Sequence, residues 1–480
     1  MKKMLLAAVF PAIVLITLFI YKQSLSFYFF QDDWFVLDTI KNIHLNNIFS
    51  IFSARQDVVY YRPVGMQLFF FLSKSLFGLN PINFHLLSFF FHILNIFMIG
   101  LISFQIFRSK FASAVSSFFY AVASFHFMTL SWISLTWNNI GTFFVFSSIY
   151  FYLKFSLSEK LIDYFLAVSL FFVALFSTEF AALTPIIAAL ISLLSPNKIN
   201  FRGIKKTLLI LSPPILAIIV YISFRLTHSA IQTTSDYKIV ISTKIIKNLI
   251  WYFLWLTGVP QELKFNLSIS QLKIARAFLN GAGFEILLFF LFWLGIIILA
   301  IFLLKKNKSP AKLNIVVALI FLIGLIPVIF LPNHTFPYYL NISSLGPFLF
   351  IAFLLKKNAR KGNEKFFIIN YLIIIIWLFL SFTNYRINAK TNWIPGEAII
   401  SKKITEDALI QSANNSNYSP VVIVSEDAVG TEQSLTGQRA LQIILNNPNI
   451  KTYVRKREQA INDYKMGTLP KNAYYIFYYQ

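Results

Sequence analysis

The chain has no cysteine in its 480 residues, and only 19 acidic residues and six histidines. Without cysteine there is neither a disulfide framework nor a thiolate metal site. Charged residues make up 13% of the sequence, against about 25% in ordinary soluble domains. A chain so poor in charge and 57% hydrophobic cannot cover a water-facing surface, so lipid is its main solvent. Also missing are a glycine-rich phosphate loop, an HExxH pair, a nucleophile elbow, any internal repeat and any low-complexity segment. These absences exclude the common signatures of soluble enzymes.

What the sequence does have is long uncharged apolar runs. A hydrocarbon core of about 30 Å needs roughly 20 helical residues, and continuous rather than alternating apolar runs specify helices, not a barrel. The expected spans number about eleven: 4–22, 84–106, 112–131, 138–155, 161–178, 180–196, 207–226, 284–304, 313–331, 339–355 and 366–383. The first is read as an uncleaved helix, because its apolar stretch reaches Ile20 and no small-residue cleavage pattern follows.

The net charge of +23 does not point to nucleic acid, because Lys and Arg cluster in short loops between apolar runs. With the N-terminus cytoplasmic, segments 1–3, 107–111, 154–160, 197–206, 305–312 and 356–365 hold nineteen Lys and Arg against two acids, Glu159 and Glu364. That bias fits the positive-inside rule, and an odd number of spans then leaves the C-terminus outside.

Three outer segments stand out. The loop 23–83 contains an amphipathic stretch from Trp34 to Phe52, expected to lie along the membrane surface. Segment 246–259 is too short to span comfortably and is expected to be interfacial or re-entrant. The tail, 384–480, has an ordinary soluble composition. Strand-like runs at 420–424, 450–454 and 473–479 alternate with helical patterns at 396–412 and 431–446. That order predicts a small α/β domain with a partly parallel sheet. The expected organisation is therefore a membrane domain over 1–383 and a small extracytoplasmic domain over 384–480.

So few acids can be followed one by one. Eight lie in the tail, and Asp163 starts a span on the cytoplasmic side. Asp32, Asp33, Asp38, Asp57, Glu179, Asp236, Glu262 and Glu285 all fall on the outer side, so carboxylate chemistry must face outward. Asp32 and Asp33 follow the first span within an aromatic stretch. Adjacent carboxylates there repel each other and are partly desolvated, which suits a general base. The competing reading is a helix N-cap. Arg62, in Tyr61-Arg62-Pro63, can hold a phosphate bidentately, or snorkel to headgroups.

His85, Ser88, His92 and Asn95 form one polar stripe on a Phe-rich helix. It marks either a cavity or interhelical hydrogen bonding. His85 and His92 lie about 10.5 Å apart along a helix axis, which argues against a metal site. The stretch from His126 through Trp132 to Asn139 is an aromatic and amide-rich corner or an interfacial belt. Glu179 joins two spans with almost no loop and needs a partner, for which a cation such as Arg225 is a candidate. Asn333-His334 and Pro337-Tyr338-Tyr339 mark the outer end of the ninth and tenth spans.

In order, these clusters resemble the GT-C superfamily of polytopic glycosyltransferases, and within it the protein O-mannosyltransferase-like and tetratricopeptide-bearing mannosyltransferase group. The matching elements are Asp32-Asp33, Tyr61-Arg62-Pro63, Pro81 through Phe84-His85 to His92 and Asn95, then His126 with Trp132-Ile133-Ser134, and Glu179 with Pro185. The resemblance covers 1–230 well and 331–346 loosely. Met128 stands where the group has Glu, Thr178 where it has Lys, and His334 to Tyr338 replaces a late Arg-x-x-Tyr element. The tail carries no tetratricopeptide repeats.

The resemblance implies an inverting glycosyltransferase in the plasma membrane. It would move a sugar from a polyprenyl-phosphate donor to a hydroxyl of a protein, lipid or envelope-glycan acceptor on the outer face. Asp32 would be the general base, Asp33 would position it, and Arg62 with Arg225 would hold the donor phosphate. Tyr61, His85, His92, Asn95 and His126 would line the substrate groove, together with Trp132, Glu179, His334 and Tyr338. The 34–52 stretch and 246–259 would wall a prenyl entrance. A divalent metal is not favoured, and no nucleic acid is expected. The competing functions are a polytopic transporter or flippase, a non-catalytic envelope assembly protein, and a polysaccharide polymerase or ligase.

Overall fold

The structure, a computed structural model, describes residues 2–53, 60–194, 213–223, 237–268, 273–307, 309–359, 364–413, 420–469 and 473–478. Among these, six helices are long and apolar enough to cross a membrane: Val9–Ser26, Pro81–Phe107, Ile133–Ser158, Phe278–Lys306, Ala311–Ile329 and Phe367–Thr391. Two bent pairs raise the number to up to eight. Lys110–Ala121 meets Ser124–Ser131 at 47°, and Pro337–Ser343 meets Leu345–Ala359 at 62°. The three remaining expected spans coincide with shorter apolar helices, Leu161–Leu175, Glu179–Ser192 and Pro213–Ser223.

Every expected span thus meets an apolar helix, but among the described residues the count of full-length spans falls short of eleven. Apolar composition runs on through backbone breaks that it does not signal. At the end of Leu161–Leu175, for example, Ser177 N–H and Thr178 N–H both turn back to Ala174 O, at 2.9 and 2.8 Å. Of the lipid-facing helices, Arg276–Lys306 exposes Phe284, Leu287, Leu291, Leu294 and Ile298 at alternating spacings of three and four. A continuous apolar stripe of that kind needs hydrocarbon beside it.

The polar stripe on Pro81–Phe107 faces the interior. Asn80 caps this helix by accepting from Ile82 N–H, and Pro81 fits the first turn, where no N–H is required. His85 places its two ring nitrogens 3.1 Å from Leu130 O and 3.1 Å from Phe27 O. Ser88 Oγ donates to Thr129 O, His92 Nε2 lies 3.1 Å from Ala121 O, and Asn95 Nδ2 donates to Asn139 O. The carbonyls served are largely those of the bent pair around 121–131. Backbone groups at membrane depth have no water to bond, so a broken helix is tolerated only where neighbouring side chains satisfy it. The stripe and the break account for each other.

The stretch from Trp34 to Phe52 is not one helix. It divides into Asp32–Thr39 and a 3₁₀ segment, Leu45–Phe52. The second piece starts afresh because Asn47 Oδ1 accepts from His44 N–H at 2.6 Å, capping a new helix start. Phe49 is 83% exposed at its outer surface. Segment 246–259 forms Lys244–Leu256, about 20 Å long and so shorter than the hydrocarbon core.

Helix Glu364–Thr391 runs straight on past residue 383, and Trp393–Ala413 follows it. The tail sheet has Val421–Ser425 at its centre, flanked by Thr452–Arg455 and Tyr474–Tyr478. Both pairings are parallel, with Val421 opposite Thr452 on one side and Tyr474 on the other. The central strand is buried along its whole length, as a parallel strand covered by crossover helices must be. Val421, Ile423, Ile404 and Leu441 belong to the same apolar core as the membrane helices, so the tail packs directly onto them.

Candidate functional site

Helix Asp32–Thr39 is held from two sides. Its tail-facing side carries Gln31, Trp34, Phe35 and Asp38, at the i, i+3, i+4 and i+7 spacing that makes one helical face. Gln31 N–H donates to Ser434 O at 2.9 Å, and Trp34 Nε1 donates to Ser401 Oγ at 2.9 Å. Arg439 covers the Phe35 ring and pairs with Asp38 at 3.3 Å.

Asp33 points toward the 124–135 corner. Its Oδ1 accepts from both Ser134 N–H and Ser134 Oγ at 2.6 Å, and its Oδ2 accepts from Phe30 N–H at 3.1 Å. Asp33 is fully buried, and burial pushes its carboxyl up to about 8, although those hydrogen bonds oppose the shift. Three donors locked onto one inaccessible carboxyl make Asp33 a fastener of the loop.

Asp32 differs in each respect. Its side chain reaches solvent, and it makes no hydrogen bond or ion pair to the described residues. Protein nevertheless surrounds it closely enough for desolvation to raise its carboxyl above the ordinary range, while the charge of Arg62 pulls it back. Asp32 is thus an accessible carboxylate in surroundings that desolvate it.

Arg62 is the cation whose charge acts on Asp32. Its Nε donates to Glu179 Oε2 at 2.9 Å, and its guanidinium carbon lies 3.5 Å from the Trp137 ring centroid. Burial works against the charge, but Glu179 more than offsets it and holds the guanidinium firmly protonated. Among the described residues only Nε is engaged, so four N–H groups on the terminal nitrogens are left for a ligand.

Close backbone approach makes the pair possible. A Cβ on Gly65 would stand 2.6 Å from Ser177 O, and one on Gly141 would overlap the Thr178 side chain. Val64 N–H donates to Phe176 O at 2.9 Å, tying the start of the short helical segment Pro63–Leu68 to the same turn. Thr178, which replaces a lysine of the resembled group, caps the short helix that begins at Glu179 and accepts from Phe180 N–H.

Beyond Glu179 lies an aromatic wall. Phe180 stacks on Tyr339 at 5.4 Å, Tyr338 Oη lies 3.4 Å from His334 Nε2, and Tyr237 lies over His334 at 4.4 Å. Asn138 Nδ2 donates to Tyr338 O at 2.8 Å, and Asn341 bridges to Asn138. Ser134 and Trp137 are three residues apart, so one short stretch holds Asp33 on one side and Arg62 on the other.

Of the expected site residues, the structure brings Asp32, Arg62 and Glu179 together, with His334 and Tyr338 in the wall beside them. Glu179 pairs with Arg62, whereas Arg225 lies outside the described residues. Tyr61 is buried at 7% exposure, and its hydroxyl donates to Phe52 O, fastening the first loop to itself. Trp132 stacks on Phe30 at 5.4 Å and meets Trp393 at 5.1 Å, beside the aspartate pair.

His85, His92, Asn95 and His126 are fully interior, at 1% exposure or less. His126 packs against His92 at 4.4 Å, and Met128, which replaces the group's Glu, is buried in the same corner. Among the described residues no three His, Asp or Glu side chains gather in a metal-holding group. Gln31, Ser401, Ser434 and Trp137 were not singled out from the sequence. Their roles rest on contacts between segments up to several hundred residues apart, which leave no local signal.

No protein-family model matches the chain, and no curated protein matches its sequence. Among solved structures, it is similar to the oligosaccharyltransferase of Archaeoglobus fulgidus. Against the form tethered to an acceptor peptide containing the NVT sequon, identity is 12%, covering 95% of this chain and 64% of that one, with a TM-score of 0.49. Against the apo form, identity is 13%, covering 95% and 65%, with a TM-score of 0.48. The chain thus spans just under two thirds of the length of those structures.

Proposed function

We propose that this chain is a GT-C-type inverting glycosyltransferase of the membrane. It moves a sugar from a polyprenyl-phosphate donor to an acceptor hydroxyl on the outer face, with 1–383 as its membrane domain and 384–480 as its outer domain. The observation that carries the proposal is a reachable carboxylate, Asp32, unbonded among the described residues, that feels the charge of an oriented guanidinium, Arg62.

In the proposed step, the acceptor O–H gives its proton to the Asp32 carboxylate as the acceptor oxygen attacks the anomeric carbon. The bond from that carbon to the phosphate oxygen breaks at the same time, and its electron pair leaves with the polyprenyl phosphate. A single displacement inverts the configuration. The phosphate is already a good leaving group, so it needs charge stabilisation rather than a proton, which the terminal nitrogens of Arg62 supply. A desolvated carboxylate is a stronger base than one in water, which suits its task.

The aromatic wall of Tyr237, His334, Tyr338 and Tyr339 offers apolar faces for a sugar or the first prenyl unit. Acceptor and sugar class are tested by comparing the glycans and glycoproteins of cells with and without the gene. Loss of one glycan, with its anomeric linkage inverted relative to the donor, is expected. An unchanged glycan profile would contradict the proposal.

A further inference from the structure

Gln31 holds φ 47° and ψ −120°, a left-handed backbone conformation that residues with a Cβ strongly avoid. It is the residue immediately before Asp32, and it caps the Asp32–Thr39 helix with its backbone alone, since its side chain accepts nothing at the cap. Strain of this kind persists only where the surroundings over-determine it. Here the surroundings are one turn of the C-terminal segment. Gln31 N–H donates to Ser434 O at 2.9 Å, and Thr436 Oγ1 donates to Gln31 O at 2.5 Å. Both backbone groups of the strained residue are thus held by residues 434–436.

The turn that does the holding is itself fixed. Thr436 lies just past the end of helix Ala428–Leu435 with φ 51°, and its N–H is tied to Gln433 O at 3.0 Å. Ser434 is fully buried, and its hydroxyl meets Glu397 and Gly430 O. Glu397 also receives the Gln31 side chain.

We propose that Ser434 and Thr436 are positioning residues. They clamp Gln31 in its left-handed conformation and thereby set where the adjoining Asp32 carboxylate stands. The catalytic consequence rests on the function proposed above; the clamp itself does not. The C-terminal segment would then act on the reaction without touching donor or acceptor, and loosening it would displace the base rather than remove a substrate contact.

The test uses the full-length protein in proteoliposomes and exploits its lack of native cysteine. Asp32→Cys places the only thiol at the site, and its reaction rate with a membrane-impermeant maleimide reports local geometry without any turnover. Thr436→Val, which is isosteric and still β-branched, is expected to change that rate several-fold. Thr436→Ser should leave it unchanged. Adding Gln31→Gly should bring it back, because glycine holds this conformation without a clamp.

On the native Asp32 background, the same Thr436→Val change should lower kcat roughly tenfold or more with little change in donor KM. Gln31→Gly should again recover much of the loss, an outcome that general unfolding of the tail would not produce. An unchanged labelling rate in Thr436→Val, or a shift that Gln31→Gly leaves in place, would overturn the clamp. A labelling shift that Gln31→Gly reverses, in a protein that transfers no sugar, would uphold the clamp and overturn the functional assignment instead.

Discussion

Arg62 donates its Nε hydrogen to Glu179 at 2.9 Å while its guanidinium lies on the face of Trp137. The two residues are 117 positions apart, and the ion pair is largely shielded, with side-chain exposures of 13% and 17%. The carboxylate orients the cation through its inner nitrogen and leaves the outer ones for an anion. Lysine has no such fork, so Arg62→Lys should lower kcat/KM for a polyprenyl-phosphate sugar by about 100-fold. Glu179→Gln should act mainly on donor binding, raising donor KM roughly tenfold with a smaller change in kcat. Steady-state kinetics in proteoliposomes with varied donor would check both.

The same guanidinium fixes the direction of a pH effect. Asp32 is raised above the usual carboxylate range by desolvation and pulled back by Arg62. A general base works only when ionised, so activity should fall as pH drops through that raised value. Its acid limb should therefore lie above that of an ordinary aspartate. Arg62→Gln removes the charge that pulls Asp32 back and should move the limb to still higher pH. A pH profile of kcat/KM for the two proteins would reveal the shift.

Asp33 predicts a dependence of stability rather than rate. Its carboxyl is pushed up to about 8 in the folded protein from an ordinary value of 3.8. The folded state therefore binds the proton more tightly than the unfolded state. The resulting stabilisation is fully present below the unfolded value and is lost as pH rises toward and through 8. Thermal unfolding in nanodiscs between pH 5 and 9 should show Tm falling across that window. Asp33→Asn should flatten the slope while lowering Tm overall, because an amide cannot accept from Ser134 and Phe30 together.

Gly141 carries a prediction about packing. Any Cβ there overlaps the Thr178 side chain, on the turn that bears Glu179. Gly141→Ala should destabilise the protein by about 1–3 kcal/mol, the usual cost of overpacking a filled core. It should also weaken donor binding by moving Glu179 away from Arg62. Gly283→Ala, which would meet nothing within 4 Å, is the control expected to change neither. Tm and donor KM of the two variants would check this.

Much of the architecture was legible because lipid imposes simple rules. Apolar length placed a helix in every expected span, and the three tail strands lie within two residues of the runs that predicted them. Breaks within apolar runs were not legible, since Ala121 to Ser124 and Ser177 carry no helix-breaking residue. The stripe of His85, Ser88, His92 and Asn95 could be seen in the sequence, but its destination could not. Whether it lined a cavity or served a broken helix depended on carbonyls at 121–131 that only the fold puts opposite it.

The candidate site shows the same division. Asp32 and Asp33 were visible as a pair, but identical side chains in adjacent positions gave no sign that one is locked onto Ser134 and the other left open. Ser134 itself was visible only as part of a Trp-Ile-Ser triplet. Gln31 carries no signal at all, because backbone strain is a property of what surrounds a residue. Arg62 is a partner of Glu179 that the sequence did not signal, since sequence order does not reveal which cations a turn will meet, and Arg225 lies outside the described residues.

The most direct test of the central claim is sugar transfer by Asp32→Asn in proteoliposomes loaded with a polyprenyl-phosphate sugar and a hydroxyl acceptor. With the fold intact and only the proton acceptor removed, transfer should fall by at least about 100-fold, with membrane insertion and Tm close to wild type. Transfer at the wild-type rate by Asp32→Asn would contradict the account.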